Sequence, residues 1–404
     1  MIKDFFYRVL QRRHFWRDST FSEVAELYAS RVLRLTATSV GAGFSTVFLY
    51  KEGYSLVLIL AIWMMVYAIK IFLSPFAGLL VARIGTAKST LISNILYIPA
   101  MIAISLVEKF GIPAILIFAF FMAVSITIYQ LCYYVEFSIV KNEEHAGKEI
   151  GYMNILEKLA ITISPIIGGF IALAFGPPVI MTVAGVLFAI AALPLLKNPS
   201  RTEQRQEVTL SGFPWRMALP SMLARASLGF DAVASSIVWG LFVLIVIFPN
   251  SDNDIYVILG ALSSLTVVVA TVASIAYGKI IDKNKGGNLL RIGVASNAIV
   301  HLSRVLVVSP VEVFGVNIVN EAATTAQNMA LLRGIFDTAD LSGHRVVYMV
   351  GGEAMDGVGG ILACLAMILC QISFGGVVGF RIFFVIAAIA ILGNGMSRFP
   401  LYRK

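Results

Sequence analysis

Long apolar stretches, separated by short polar ones, follow one another along almost the whole chain. Several of them contain no charged residue, among them 89–107, 111–135, 232–251, 255–278 and 357–380. A helix that spans a bilayer needs about 20 consecutive apolar residues. The pattern therefore predicts a helical protein that crosses a membrane many times.

The longest apolar stretch, 159–196, exceeds one span and is interrupted at Gly176, Pro177 and Pro178. Consecutive prolines stop a helix because they lack the N–H donor and clash with the preceding turn, so this stretch predicts two spans. Stretches with one or two internal charges bring the predicted total to twelve. The spans are expected near 25–49, 54–82, 89–107, 111–140, 150–174, 178–196, 216–248, 253–281, 289–308, 312–336, 345–372 and 377–397.

A polar segment after the sixth span divides the predicted helices into two groups of six. The first residues alternate apolar side chains with Lys and Arg, which predicts an amphipathic helix on the inner membrane surface; a frayed, solvated tail is the alternative. The predicted regions are the amphipathic cytoplasmic segment (1–24), the first six-helix bundle (25–196), the cytoplasmic linker (197–215), the second six-helix bundle (216–397) and the cytoplasmic tail (398–404).

Composition agrees with a lipid environment. Hydrophobic residues make up 58% of the chain and charged residues 13%, against about 25% charged in soluble domains. The net charge of +8 does not indicate nucleic-acid binding, because the basic residues punctuate apolar stretches instead of forming a patch. Cys132, Cys364 and Cys370 lie inside apolar stretches without a CxxC pair, so neither a disulfide framework, a metal site nor a cofactor is expected.

Lysine and arginine in the loops indicate the orientation. With twelve spans, nearly all of them fall on one side, and the other side has only Lys51, Lys109 and Arg381. Positive loops stay on the cytoplasmic side, and a wrong number of spans would scramble this alternation. The sequence thus predicts a multi-pass plasma (inner) membrane protein whose termini and central linker are cytoplasmic.

Two short patterns recur at equivalent places in the two groups of six. A glycine follows the second span at Gly78 and the eighth at Gly278. The pattern Tyr-Met-x-x-x-Glu ends at Glu157 at the start of the fifth span and at Glu353 at the start of the eleventh. Together they predict that the chain arose by duplication of a six-helix unit, as in many transporters.

The loop after the second span resembles the signature of the major facilitator superfamily, G-x-x-x-D-R/K-x-G-x-R/K-R/K. The matching residues are Gly78, Arg83, Gly85 and Lys88. Ala82 takes the place of the acid, and Ala87 that of one basic residue. In the corresponding loop of the second half the acid is kept. The residues of this second copy are Gly278, Asp282 and Lys283.

A segment of the fifth span looks like the G-P-x-x-G-G motif of that family's proton-driven exporters, with Ser in place of the first Gly. Its residues are Ser164, Pro165, Gly168 and Gly169. The resemblance implies an all-α membrane protein with about twelve transmembrane helices in two pseudo-symmetric six-helix bundles. It also implies that the loop motif acts as a cytoplasmic latch that holds the outward-open state.

The latch has a physical basis. Glycine allows one helix end to pass close to another, and an acid there can dock on a helix N-terminus, which is favourable by about 0.3–1 kcal/mol. Because Ala82 takes the place of the acid, either the latch is weaker in this protein or Asp282 provides more of the contact that holds it. The alternative is that Arg83 and Lys88 only anchor the helix ends on the cytoplasmic side.

Apart from residues at the span edges, such as Glu26, twelve ionisable residues lie inside the predicted spans. Such residues are functional candidates because their insertion is costly. The acids are Glu136, Glu157, Asp231, Glu321, Glu353 and Asp356. The bases are Arg31, Arg34, Lys70, Lys158, Arg225 and Arg304. The equal numbers predict mutual pairing around a polar interior. A desolvated carboxylate there could bind and release a proton as the cavity opens.

Four of these residues are expected to line a central cavity: Arg34, Glu157, Asp231 and Glu353. The alternative is that Glu157 and Glu353 form structural pairs with Lys158 or Arg225. Polar side chains at helical spacing are candidate substrate ligands, or else bond neighbouring helices together. The substrate and proton pathway is therefore predicted to include Arg34, Gln130, Tyr134, Glu157, Asp231, Asn320, Glu321, Gln327 and Glu353.

The chain has no G-x-x-x-x-G-K-[ST] loop and no H-E-x-x-H motif, so neither ATP drive nor an enzyme is expected. The prediction is a monomeric, proton-coupled secondary transporter of a small molecule that works by alternating access in the lipid bilayer. The span-five motif slightly favours export of small amphipathic compounds. Uptake or facilitated passage of a sugar, nucleoside or organic acid is the first alternative, and a sensor, scaffold or lipid-handling protein the second.

Overall fold

The computed structural model describes residues 21–140, 150–151, 154–155, 157–158, 164–193, 208–249 and 254–402. Within these residues the chain is helical, with no β-strand. Residues 1–20 of the predicted amphipathic segment, the start of the linker, Tyr152, Met153 and the last two residues lie outside them.

Besides short turns at Ala42–Phe44 and Val107–Phe110, the described part of the first half contains six main helical segments. They are α1 (Phe21–Val40, continued by Ser45–Lys51), α2 (Leu56–Ile84), α3 (Thr86–Ser105), α4 (Ile112–Val140), α5 (Ser164–Phe175) and α6 (Pro177–Ala192). The described residues 150–151, 154–155 and 157–158 are also helical and precede α5. A turn at Gly176, with φ of 86°, separates α5 from α6, as the consecutive prolines predict.

The second half repeats this order. Its segments are α7 (Trp215–Ala232, continued to Ile247), α8 (Asp254–Leu265 and Val267–Ile280), α9 (Gly286–Arg304), α10 (Pro310–Leu341), α11 (Arg345–Phe374) and α12 (Gly376–Ile391). The ninth helix ends four residues before the predicted boundary. A capping box starts α10: the Ser309 side chain accepts from the Glu312 N–H, and Glu312 accepts from the Ser309 N–H.

Seven helices in the described part are long and apolar enough to cross a bilayer on length and composition alone. They are α1, α2, α3, α4, α7, α11 and α12. The helices α5 and α6 are apolar but shorter. Large apolar side chains such as Phe72 and Phe175 lie exposed on the outside of the molecule, where a bilayer would cover them.

The same helix pairs form in each half. In the first half α3 packs on α4, α4 on α2, α6 on α3, and α5 on α1; in the second, α9 packs on α10, α10 on α8, α12 on α9, and α11 on α7. The halves meet where α2 packs along α11 and α5 along α8, with further contacts from α4. These two pairs exchange when the halves are exchanged, which is the relationship that a duplicated unit predicts.

Glycines allow the helices of the two halves to approach closely. A Cβ added to Gly78 on α2 would lie 2.4 Å from a methyl carbon of Val350 on α11. One added to Gly169 on α5 would lie 2.7 Å from the Tyr256 carbonyl oxygen on α8. The neighbouring Gly168 faces α1 instead, where an added Cβ would lie 2.1 Å from the Val40 carbonyl oxygen. The span-five glycine pair thus lets α5 fit between its own half and the other.

Candidate functional site

A cavity of about 230 Å³ lies between the halves, bounded by α2, α4, α7 and α11. Its lining is aromatic and apolar on most sides, with polar groups on α2, α4 and α11. The lining residues are Trp63, Val66, Tyr67, Lys70, Ala123, Ile126, Gln130, Tyr134, Leu228, Ala232 and Asp356. Residues of both halves therefore form its wall.

Three polar side chains of this cavity are uncommitted. Tyr67, Gln130 and Tyr134 make no side-chain hydrogen bond within the described residues. By contrast, the Trp63 indole N–H donates to Thr46 Oγ1 at 3.0 Å, so Trp63 offers the cavity its ring. Gln130 and Tyr134 are four residues apart on α4 and so share one face.

Four charged residues lie at and behind one wall of the cavity, and we call them the central cluster: Lys70, Arg225, Glu353 and Asp356. Lys70 Nζ lies 2.9 Å from Glu353 Oε2 and also pairs with Asp356. Glu353 pairs through its other oxygen with Arg225, and this second pair is almost fully buried. Burial of charges is tolerated when they are paired, and the four formal charges cancel.

The central cluster depends on a close approach of α7 to α11. The Arg225 guanidinium lies beside Gly352, where an added Cβ would be 2.5 Å from Nη1. On its other side, Arg225 Cζ lies 4.8 Å from the centroid of the Tyr134 ring. Tyr134 therefore connects the cavity lining to the buried part of the cluster.

Each half contains an arginine–glutamate pair among its described residues. Arg31 on α1 pairs with Glu157, which precedes α5, as Arg225 on α7 pairs with Glu353 on α11. The first and fifth helices of each unit are thus joined by the same kind of ion pair. Arg31 also lies over the Tyr133 ring, 3.4 Å from its centroid.

Arg34 lies inside the first half. It donates to Ser93 Oγ at 2.8 Å, Asn94 Oδ1 at 2.6 Å and Ser125 Oγ at 3.1 Å, and its Cζ is 3.9 Å from the centroid of the Tyr129 ring. Its side chain is buried among these groups and does not line the cavity.

Asp231 is likewise buried in a polar network, inside the second half. Its carboxylate accepts hydrogen bonds from Ser235 Oγ at 2.9 Å and Asn297 Nδ2 at 3.0 Å, and lies 2.8 Å from His301 Nε2. Arg304 Nη1 lies 3.0 Å from His301 Nδ1. Because guanidinium groups only donate, Nδ1 accepts and Nε2–H donates to Asp231, which makes the imidazole neutral in this arrangement.

Two further predicted ligands belong to that network. Asn320 Oδ1 accepts from Arg304 Nη2 at 3.0 Å, and Gln327 Oε1 accepts from Asn297 at 3.2 Å. A remaining predicted residue, Glu321, pairs with Lys158 across the halves. These contacts correspond to the alternative role of interhelical polar bonding.

The predicted pathway residues are therefore separated by the structure. Gln130 and Tyr134 line the cavity, and Glu353 lies directly behind it. The others lie inside a half or in pairs outside the cavity lining: Arg34, Glu157, Asp231, Asn320, Glu321 and Gln327. Sequence reasoning placed Lys70 and Asp356 among the ionisable candidates inside the spans but did not choose them for the pathway, and it did not name Tyr67. A lysine in the middle of a 29-residue apolar helix was a usable signal.

The loop-motif residues lie at helix ends. Gly85 ends α2 with φ of 84°, and its N–H donates to the Val81 carbonyl. The basic residues Arg83, Lys88 and Lys283 are exposed, whereas Gly278 is buried and Asp282 half-buried. Ser164 of the span-five motif is buried at the start of α5, where Pro165 follows it.

Comparison with known proteins gives a family and a fold. A family model described as Major Facilitator Superfamily matches residues 32–334, about three quarters of the chain. No curated protein matches the sequence.

Similar solved structures include the E. coli fucose:proton symporter FucP, with a TM-score of 0.65, 12% identity, and coverage of 93% of this chain and 98% of that one. A second structure of FucP, in the outward conformation, gives a TM-score of 0.67 at the same identity and coverage. The human organic anion transporter MFSD10 (TETRAN) gives 0.64 at 12% identity, covering 92% of this chain and 100% of that one. Identities this low establish the shared fold alone.

Proposed function

The chain belongs to the major facilitator superfamily, and from this premise we propose that it transports a small molecule together with protons through the central cavity. Transport proceeds by alternating access, with the two halves rocking about the site between them. The observation that carries the proposal is the cavity itself, because it lies between the halves and is bordered by ion pairs that join them.

The ion pairs between the halves have a consistent polarity in the described part of the chain. Lys70 of the first half pairs with Glu353 and Asp356 of the second, and Lys158 of the first pairs with Glu321 of the second. Each cation belongs to the first half and each carboxylate to the second. These pairs stabilise the arrangement of the halves seen here.

Protonation supplies a way to weaken them. A proton on Asp356 or Glu353 leaves Lys70 and Arg225 with a single carboxylate between them, and a proton on Glu321 removes the negative charge opposite Lys158. An uncompensated positive charge in a buried cluster is costly, so the halves are driven toward an arrangement in which water reaches it. Proton binding and movement of the halves are coupled in this way.

Two similar folds support the proposal in general terms. The solved structures include a fucose:proton symporter and an organic anion transporter, so this fold is compatible with proton coupling and with small organic substrates. We further propose that the chain acts as a monomer in the plasma (inner) membrane, with termini and linker cytoplasmic, because the cavity is complete within one chain and Lys and Arg are concentrated in the loops of that side.

The test uses purified protein in liposomes that contain the pH dye pyranine. Sugars, nucleosides, organic acids and amphipathic cations are added one class at a time, with and without an imposed pH gradient. We expect at least one class to move protons faster than in vesicles that carry the Asp356→Asn variant. Folded protein that moves no protons with any class contradicts the proposal and favours a sensor or scaffold.

A further inference from the structure

We propose that the transported molecule is an uncharged, hydroxyl-rich ring compound of monosaccharide size. This inference rests on the proposed function, because it takes the central cavity as the substrate site. Three features of the cavity carry it: its volume, the cancellation of its charges, and the kind of polar groups that it leaves uncommitted.

The volume limits the substrate to a small molecule. Pockets for drug-sized ligands measure about 300–1,000 Å³, and this cavity measures about 230 Å³. A single hexose-sized ring is more compatible with that space than an extended amphipathic compound.

The charges of the lining offer no net attraction for an ion. Lys70 and Asp356 are the charged residues of the lining, and they pair with each other. Behind them, Arg225 and Glu353 also pair. An anionic substrate would have to displace Asp356 or Glu353 from Lys70, and a cationic one would have to displace Lys70 from its carboxylates. An uncharged molecule leaves these pairs intact.

The uncommitted groups are neutral hydrogen-bonding groups. The hydroxyls of Tyr67 and Tyr134 each donate and accept, and the Gln130 amide offers two donors and an acceptor. None of them is bonded to another side chain in the described part. Several alternating donors and acceptors around a small space fit a molecule that carries several hydroxyl groups.

Aromatic rings complete the site. Trp63 and Tyr67 lie one helical turn apart on α2, with ring centroids 6.4 Å apart and planes inclined by 39°. Their rings give the cavity lining an aromatic wall on α2, and the polar groups of α4 belong to the same lining. The apolar face of a saturated ring can pack against this wall while its hydroxyls reach Gln130 and Tyr134.

The binding test measures the melting temperature of the purified protein, with matched sugars that differ in charge. Glucose and galactose are compared with glucosamine and galactosamine, which are cationic, and with glucuronate and galacturonate, which are anionic. At ten times its Kd, a neutral hexose should raise Tm by roughly 2 °C. The charged analogues should have no effect at the same concentration.

Variants locate the binding. Gln130→Leu and Tyr134→Phe should each weaken hexose binding by roughly two- to ten-fold, through loss of a neutral hydrogen bond. Tyr97→Phe is the matched control, since Tyr97 is also buried but lies outside the cavity lining, and it should keep the full shift. A charged analogue that stabilises the protein as strongly as the hexoses, or the absence of a shift with both hexoses, overturns the substrate class.

The transport assay separates this inference from the proposed function. A Tm shift with hexose and no proton movement in the pyranine assay supports the substrate class and contradicts the proposed function. Proton movement with a charged compound but not with a hexose supports the proposed function and contradicts the substrate class.

Discussion

Lys70 Nζ lies 2.9 Å from Glu353 Oε2, and this contact joins the second helix of one half to the fifth helix of the other. The same carboxylate also holds Arg225 within its own half. Glu353 therefore belongs both to the internal structure of the second half and to the contact between the halves. A change in the charge of Glu353 therefore affects both the second half and its contact with the first.

Loss of the lysine should destabilise the protein. Lys70→Met leaves Glu353 and Asp356 to share Arg225 in a buried place, and breaking a buried pair typically costs about 3–5 kcal/mol. We expect a lower Tm and loss of proton-driven transport, measured by thermal unfolding in detergent and in pyranine-loaded vesicles. The double variant Lys70→Met with Asp356→Asn restores the charge balance and should recover part of the Tm. An unchanged Tm in the single variant would show that the pair does not stabilise this arrangement.

The second contact between the halves can be tested by exchange of charge. Glu321→Lys places two cations together where Lys158 and Glu321 now pair, so transport should fall. The combined exchange, Lys158→Glu with Glu321→Lys, restores an ion pair of opposite polarity and should recover more transport than either single variant. Equal loss in the double variant would mean that the two residues act independently.

The close crossing of α5 and α8 predicts a strong effect of one methyl group. Gly169→Ala places a Cβ 2.7 Å from the Tyr256 carbonyl oxygen and the Val257 Cα, so the two helices must separate. Gly315→Ala on α10 is the control, because no atom lies within 4 Å of its added Cβ, and it should be neutral or stabilising by up to about 1 kcal/mol. Tm should fall with the first variant only. Similar Tm values for both would contradict the crossing.

Topology provides a test of orientation. In a background without Cys132, Cys364 and Cys370, single cysteines are placed at Leu210 and at Phe110, both exposed. A membrane-impermeant maleimide added to intact cells should label Phe110→Cys and should reach Leu210→Cys only after the membrane is opened. Labelling of Leu210→Cys in intact cells would reverse the predicted orientation.

Much of the helix arrangement could be predicted from hydropathy, because each span needs a fixed length of apolar sequence. The Gly176 turn and the recurrence of Glu157 and Glu353 were visible in the sequence, and the structure gives both glutamates an arginine partner. Position along a helix did not reveal the direction of a side chain. Asp231 lies deep in α7 yet faces α9, whereas Lys70 faces the cavity. In a helix that is apolar on all sides, the sequence contains little information about which face meets which neighbour.

This difference in direction leads to the final prediction, which compares two aspartates. Asp231 accepts three hydrogen bonds inside the second half and does not line the cavity. Asp231→Asn turns one acceptor into a donor that faces other donors, which costs about 1–3 kcal/mol and should lower Tm. The protein that remains folded should still respond to a pH gradient, because the ion pairs between the halves are unchanged.

Asp356→Asn should affect the proton coupling itself. Asp356 lies at the cavity and pairs across the halves with Lys70, and the asparagine that replaces it can no longer change its charge. Flux through this variant should lose much of its dependence on the pH gradient, measured at equal amounts of folded protein in vesicles. If Asp231→Asn abolished the pH dependence and Asp356→Asn kept it, the proton would have to act inside the second half, and the ion pairs between the halves would be structural contacts alone.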